Sequence, residues 1–299
     1  VNLLVVGSVA FDNIETRAGE GKRLLGGSAT YFSLAAAPFC TSRIVAVVGE
    51  DFTPEYEEVL TNRDIDIEGL QRAKGLTFAW GGTYSENFET RETQFTDLNV
   101  FADFSPELPA SYRDSELVFL GNIQPSLQMD VLRQIENPGL VAADTMNLWI
   151  NENREELLEV IRNIDILFIN DEEAFLLTGR YPLLKAASML LEMGPDRVVI
   201  KRGEHGAFLF GAGKNFYVPA FPLDDIVDPT GAGDSFAGSF MGYLAQEEEL
   251  NDESFRKAMI TASAVASYTC EGFGVEKLKR LTPEKVLSRS EEIQDLTSI

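Results

Sequence analysis

From residue 106 onward, short apolar runs alternate with stretches of helical periodicity, and that alternation leaves few folds open to the chain. Strands are expected at 116–121, 140–143, 164–170, 197–201, 207–210 and 216–218. Helices are expected at 126–136, 152–163, 171–178, 182–193, 234–248 and 254–268. The strands are continuously apolar rather than alternating, the pattern of strands buried on both faces of a parallel sheet. The same grammar opens the chain. Leu3-Leu4-Val5-Val6 is a buried strand ended by Gly7-Ser8, and residues 43–49 form another. A helix is expected at 28–37, with Ser28 as its N-cap and Pro38 as its stop, and a second at 56–62 behind Thr53-Pro54. The expected fold is α/β: three layers, α/β/α, around a mostly parallel sheet. Ligands of such sheets bind beyond the carboxyl ends of the strands, where Gly7-Ser8, Asn170 and Gly231 fall.

One region breaks the pattern. Between 70 and 105 the chain carries Trp80-Gly81-Gly82-Thr83-Tyr84, Phe88, Thr90, Thr93, Phe95 and Thr96, with no helical period. Thr- and aromatic-rich sequence of this kind forms short strands. Residues 13–25 and 70–105 are therefore expected to build a small β-sheet lid on a main domain of residues 1–12, 26–69 and 106–299.

The stretch richest in chemistry is Asp228-Pro229-Thr230-Gly231-Ala232-Gly233-Asp234. It lies between a β-like segment and a helix. Gly231 and Gly233 remove side chains, so the unpaired N–H groups of a helix N-terminus can approach an anion. Asp234 places a carboxylate in the first turn beside that anion. A phosphate cradle next to a Brønsted base suits phosphoryl transfer to a hydroxyl. An ordinary glycine turn with a helix-stabilising Asp is the plainer account of the same residues.

Composition narrows the alternatives. The 299 residues suit one large domain, with or without a small appendage. A net charge of −23 argues against a nucleic-acid partner. No apolar run approaches the ~20 residues that span a bilayer. Val1 starts directly on a strand-like run with no basic leader, so a cytoplasmic protein is expected. Cys40 and Cys270, the only cysteines, are expected as buried free thiols. His205, the only histidine, sits in a glycine-flanked turn, which leaves neither a zinc ligand set nor a Ser-His-Asp triad. There is no P-loop and no dinucleotide-binding glycine fingerprint.

The string Asp-x-Thr-Gly-Ala-Gly-Asp closely resembles the C-terminal signature of the ribokinase-like (PfkB) carbohydrate kinases, and further matches follow in the family's order. Gly7-Ser8-x-x-x-Asp12 and Gly26-Gly27 resemble its sugar-binding segments. Asn170-Asp171-Glu172-Glu173 resembles its Asn-x-x-Glu motif, and Lys201-Arg202-Gly203-Glu204-His205-Gly206 its strand-turn beside the nucleotide. The resemblance implies a ribokinase-like fold and an ATP-dependent kinase for a sugar or sugar-like polyol. It implies Asp234 as general base and the amides of Gly231, Ala232 and Gly233 as the anion hole. By the same resemblance, Asp12, Gly26, Gly27 and Tyr31 meet the substrate, and Asn170, Lys201, Gly203, Gly206 and Thr230 the nucleotide. Asn170 and Glu173 are implied to serve Mg²⁺ through water, and Asp228 and Thr230 a monovalent cation such as K⁺. Residues 262–274 are implied to line the adenine pocket. A capping box explains Asn170 and Glu173 equally well, and turn geometry explains Asp-Pro-Thr.

Many relatives carry Asn where this chain has Tyr31, so the substrate is expected to be bulkier or less rich in hydroxyls than ribose. A nucleoside kinase is the nearest alternative, with Tyr31, Trp80, Tyr84 and Phe88 available to stack on a base. A non-catalytic sensing relative is the remote one. Exposed lid edges suggest a homodimer paired through the lid.

Overall fold

The computed structural model describes residues 2–88, 90–211 and 213–297. The strands are β1 (Leu3–Val6), β2 (Ala10–Thr16), β3 (Gly19–Gly26), β4 (Ser42–Val48), β5 (Asp66–Arg72), β6 (Ala79–Tyr84), β7 (Arg91–Asp97), β8 (Leu117–Leu120), β9 (Leu140–Asp144), β10 (Ile166–Asn170), β11 (Arg197–Lys201), β12 (Ala207–Gly211) and β13 (Phe216–Val218). The helices are α1 (Ser28–Ala36), α2 (Pro54–Thr61), α3 (Pro125–Leu132), α4 (Asn147–Glu152), α5 (Arg154–Ile161), α6 (Asp171–Thr178), α7 (Leu183–Glu192), α8 (Ala232–Leu244), α9 (Asp252–Cys270) and α10 (Pro283–Asp295).

Nine strands form one sheet in the order β13-β12-β11-β10-β9-β8-β1-β4-β5. It is parallel from β5 to β11 and antiparallel over its last two pairings. Each parallel strand feeds both faces, because successive side chains point to opposite sides. Leu3, Val5, Ile44, Ala46 and Phe119 pack with α1, α8 and α9 on one face. Leu4, Val6, Val45, Val47 and Val118 pack with α3 to α7 on the other. The three-layer expectation is met.

A separate four-stranded sheet has the order β3-β2-β6-β7. Its edges differ from those read in the sequence. β5 pairs with β4 in the large sheet through Arg72, so the excursion starts beyond residue 72 rather than at 70. Asp12 lies within β2, paired with Leu24 and Trp80, and so belongs to the small sheet rather than to the main domain. Two further readings change. The N-cap of α1 is Gly27, not Ser28, whose hydroxyl instead accepts from the Ser8 amide at 3.1 Å. The single helix expected at 152–163 is α5 alone, with α4 a separate short helix before it. The cysteines are free and half-buried, and burial pushes both thiols up to about 12.

Candidate active site

Three neighbouring strands end on polar side chains at the same edge of the sheet: Asp144 on β9, Asn170 on β10 and Lys201 on β11. Lys201 Nζ donates to Asp144 Oδ2 at 2.7 Å, in an ion pair largely withdrawn from solvent. Burial works against the ammonium charge, but Asp144, Glu173 and Asp234 hold its pKa above the usual value. On this pair the sequence had pointed to Lys201 but not to Asp144. A lone Asp ending an apolar strand carries no spacing signal, and only the folded register sets it beside the lysine.

Asn170 caps α6. Its Oδ1 accepts from the Glu173 amide at 2.7 Å, and Glu173 Oε2 accepts from the Asn170 amide at 3.0 Å. The capping box expected as the plainer account is thus present. Burial raises the Glu173 pKa to about 7, and the charge on Asp144 adds to the rise.

Opposite these strand ends stands the N-terminus of α8. Gly231 is its N-cap, left-handed at φ 76°. Among the described residues, the N–H groups of Gly231 and Gly233 have no hydrogen-bond partner, whereas Ala232 N–H reaches Pro229 O at 3.2 Å. A β-carbon on Gly233 would lie 3.2 Å from Lys201 Nζ, so the ammonium sits beside the free amides. Asp234 occupies the first turn. Desolvation raises its pKa to about 7, Asp144 adding to the rise, while Lys201, its own amide and Arg91 oppose it.

Asp228 is 1% exposed. Its Oδ1 accepts from the Thr230 amide at 2.9 Å and its Oδ2 from the Gly274 amide at 3.2 Å, which braces the loop before α8. Burial raises its pKa, and these hydrogen bonds oppose the rise.

Asp12 approaches the same edge from the small sheet, close enough for Asp228 and Asp234 to act on it. Its carboxylate lies where any side chain on Gly26 would have to go, and Gly27 at φ 92° packs on the backbone of Ser8 and Ala10. Burial, then Asp228 and Asp234, raise the Asp12 pKa to about 8. Tyr31 is placed otherwise than a cleft-lining aromatic: it is 1% exposed and its ring faces Gly231. Its hydroxyl has no hydrogen-bond partner, and burial followed by Asp12, Asp228, Tyr84 and Asp234 raises its pKa well above the ordinary value. It cannot stack on a ligand as expected.

Two polar contacts seat the small sheet on the loop before α8. Thr16 Oγ1 donates to Val227 O at 2.8 Å, and the hydroxyls of Tyr84 and Thr230 are 3.0 Å apart. Gly203 at φ 53° and Gly206 at φ 74° shape the turn between β11 and β12, and His205 is an exposed residue of that turn. Residues 262–270 close α9, and most of them are buried. Among the described residues no group of three or more His, Cys, Asp or Glu could hold a metal, and no helix is long and apolar enough to cross a membrane.

This edge therefore gathers unpaired amides, a buried ammonium and several carboxylates with raised pKa values. The order of its motifs agrees with comparison to known proteins. The chain is 30% identical over 260 residues to a cytidine kinase of Thermococcus kodakarensis, an alignment covering 84% of this chain and 91% of that one. It is 29% identical over 293 residues to a nucleoside kinase of Methanothermobacter thermautotrophicus, covering 92% and 91%. In fold it is similar to the nucleoside kinase of Methanocaldococcus jannaschii, with a TM-score of 0.76, 21% identity and 97% and 98% of the two chains covered. The profile of the pfkB family carbohydrate kinases matches residues 2–279. The chain belongs to that family, and it is a phosphotransferase acting on a hydroxyl group.

Proposed function

We propose that this enzyme transfers the γ-phosphoryl group of ATP to a sugar hydroxyl of a nucleoside, in preference to a free sugar or polyol. The kinase half rests on one observation: Lys201 Nζ lies beside the unpaired Gly233 amide at the start of α8, and its charge acts on Asp234 in the same first turn. The nucleoside half rests on the two relatives, each aligned over most of both chains.

Asp12, with Gly26 and Gly27, holds the sugar by accepting from its hydroxyls. Asp234, poised near neutrality, takes the proton of the attacking hydroxyl as its oxygen bonds to phosphorus. The bond from phosphorus to the β-phosphate oxygen breaks, and that oxygen keeps the electron pair. The α8 amides and Lys201 stabilise the charge that spreads over the phosphoryl oxygens, where fixed donors act most strongly. Asn170 lies beside Lys201 in the ladder and faces the nucleotide, with Thr230 and the Gly203–Gly206 turn. The small sheet acts as a lid that keeps competing water out.

Glu173, a buried carboxyl whose ionisation the neighbouring Asp144 charge makes more costly, suits a divalent cation. Mg²⁺ held there through water, with Asn170, would neutralise phosphate charge. Asp228, a buried carboxylate braced only by hydrogen bonds, suits a monovalent cation such as K⁺ near Thr230. Pairing of two lids in a homodimer belongs to the same reading. Light scattering tests it, and a monomer at micromolar concentration would count against it.

An ADP-release assay over nucleosides, ribose, hexoses and inositols tests the acceptor. The expected result is a kcat/KM at least 100-fold higher for a nucleoside than for ribose. A reversed order assigns a sugar kinase. Binding without ADP release from any of them would point to a sensing relative.

A further inference from the structure

Beside β3 the molecule keeps a second space, a cavity of about 480 Å³. Three segments wall it: β3 through Leu24 and Leu25, α2 through Tyr56 and Val59, and the stretch after α9 through Phe273 and Val275. Asp12, Gly26, Gly27, Lys201 and Asp234 are not among its walls, so it stands apart from the cleft. Its size is that of pockets that hold small organic molecules, about 300–1,000 Å³.

The lining selects the ligand. Four charged residues, Arg23, Glu55, Glu276 and Lys279, stand around the cavity, and each already has a partner. Arg23 donates to Asp51 O at 3.0 Å and to Asp51 Oδ2 at 3.1 Å, with its guanidinium 4.0 Å from the centre of the Phe11 ring. Lys279 pairs with Glu276, and a hydrogen bond with Thr53 holds the Glu55 carboxyl below its usual pKa. A charged ligand would have to break one of these pairings. The other walls are aliphatic chains and two rings, which suit the flat apolar face of an aromatic molecule.

Both sides of the cavity lead to the cleft. Leu24 stands opposite Asp12 in the β2–β3 ladder, and Leu25 opposite Phe11. The register of that ladder shifts between Asp12 and Ile14. Arg23 takes a left-handed backbone there, at φ 50°, and its amide donates to Asn13 Oδ1 at 2.7 Å. Irregularities of this kind re-aim side chains and cluster near functional sites. On the facing wall, Phe273 and Val275 flank Gly274, whose amide donates to Asp228 Oδ2. A β-carbon on Gly274 would lie 3.1 Å from that of Leu24, so this stretch runs against β3. Asp51, the partner of Arg23, also accepts from the amide and the hydroxyl of Thr77, both at 2.7 Å, just before the chain enters β6.

We propose that this cavity is a regulatory site for an uncharged aromatic molecule, which holds β3 against α2 and the stretch after α9 and thereby tightens the grip on the acceptor. The cavity has these walls while the small sheet is seated on the loop before α8. A ligand shifts an equilibrium toward the arrangement it fits, so an occupant favours the seated state. The effect on the acceptor rests on the kinase reading above, and the binding does not.

The test uses indole as the probe, with calorimetry for binding and the ADP-release assay for turnover. Indole is expected to bind the wild type one to one. At saturation it should lower the acceptor KM about threefold or more while kcat stays within about twofold. Benzoate, a charged ring of similar size, should bind at least about tenfold more weakly, and equal affinity overturns the ligand class. Val59→Trp fills the cavity from α2. It should lose indole affinity at least about tenfold and show the lowered acceptor KM with no indole added. Val59→Ala leaves the space open and should still bind indole and respond to it. Melting temperatures show whether Val59→Trp folds, and Val59→Met decides in its place if it does not. Failure of indole to bind up to its solubility limit overturns the proposal and leaves the kinase reading standing. So does competition of indole with the acceptor or with ATP, or an acceptor KM that bound indole leaves unchanged or raises. If the wild type phosphorylates nothing offered, the kinase reading fails by itself, and binding decides the cavity. Loss of indole affinity in Val59→Trp then supports the site, and equal affinity overturns it.

Discussion

The ring of Tyr31 in α1 faces Gly231 at the N-terminus of α8 so closely that no β-carbon fits between them. The helix that follows the diglycine is thereby pinned to the helix whose first amides are left unpaired. Gly231 also holds φ 76°, which L residues rarely adopt. Gly231→Ala should add backbone strain and a collision with an immobile ring, together roughly 2–5 kcal/mol. Gly203→Ala provides the contrast, for Gly203 holds φ 53° with no atom near its missing side chain. It should cost only the strain, about 1 kcal/mol. Denaturant melts of the two variants check this, and equal costs would contradict the tight packing at Gly231.

Asp234→Asn should keep the fold and the nucleotide affinity while turnover drops about 10²–10⁴-fold. The pH profile carries a second sign. With its pKa near 7, Asp234 must lose a proton to act as base, so wild-type kcat/KM should climb through neutrality to a plateau. Near-wild-type turnover in Asp234→Asn would remove it from the mechanism.

Stability should follow pH in the opposite sense. Asp12 moves from an ordinary value of 3.8 to about 8 on folding, so the folded state holds its proton more tightly than the unfolded one. The resulting stabilisation is complete below about pH 4 and is lost as pH rises to about 8. Asp12→Asn, which cannot ionise, should therefore melt above wild type at pH 9, with the gap narrowing steadily toward pH 4. Calorimetry at four or five pH values reads this directly, and a constant gap would show that Asp12 ionises freely in the folded protein.

The 2.7 Å pair of Lys201 and Asp144 predicts strong non-additivity. Asp144→Asn strands a buried ammonium and should cost about 3–5 kcal/mol. Lys201→Met combined with Asp144→Leu removes both charges and should cost less than the single change. A double-mutant cycle by chemical denaturation decides, and simple addition would mean that solvent screens the pair.

Glu173→Gln separates two roles of one side chain. Glutamine still accepts from the Asn170 amide, so the α6 cap and the melting temperature should persist. The lost charge should raise the Mg²⁺ concentration needed for half-maximal turnover several-fold. An unchanged Mg²⁺ dependence would restrict Glu173 to capping.

The parallel sheet was legible because its strands are uninterrupted apolar runs, and the glycine-led start of α8 because its string of residues is long and specific. Other features left no local trace. Asp144 meets Lys201 across 57 residues and occupies no recognisable spacing. Tyr31 was misread because an aromatic in a glycine-led helix looks the same whether it faces the cleft or the interior. The N-cap of α1 fell to Gly27 because Ser28 is drawn to Ser8, a contact across 20 residues. The small sheet was visible by composition, but the ends of β2 and β5 were not, since apolar residues serve either sheet.

Only Gly7, Ser8 and Val9 separate strand β1 of the large sheet from β2, and Asp12 rides on β2. Whatever rocks the smaller sheet must therefore carry the Asp12 carboxylate, proposed above to hold the sugar, with it. Under that proposal, grip on the acceptor and shelter from water become one event: the enzyme would not close without grasping, nor grasp without closing. Variants that loosen the cover should accordingly announce themselves first as poor acceptor binders, long before any wasteful hydrolysis of ATP is seen.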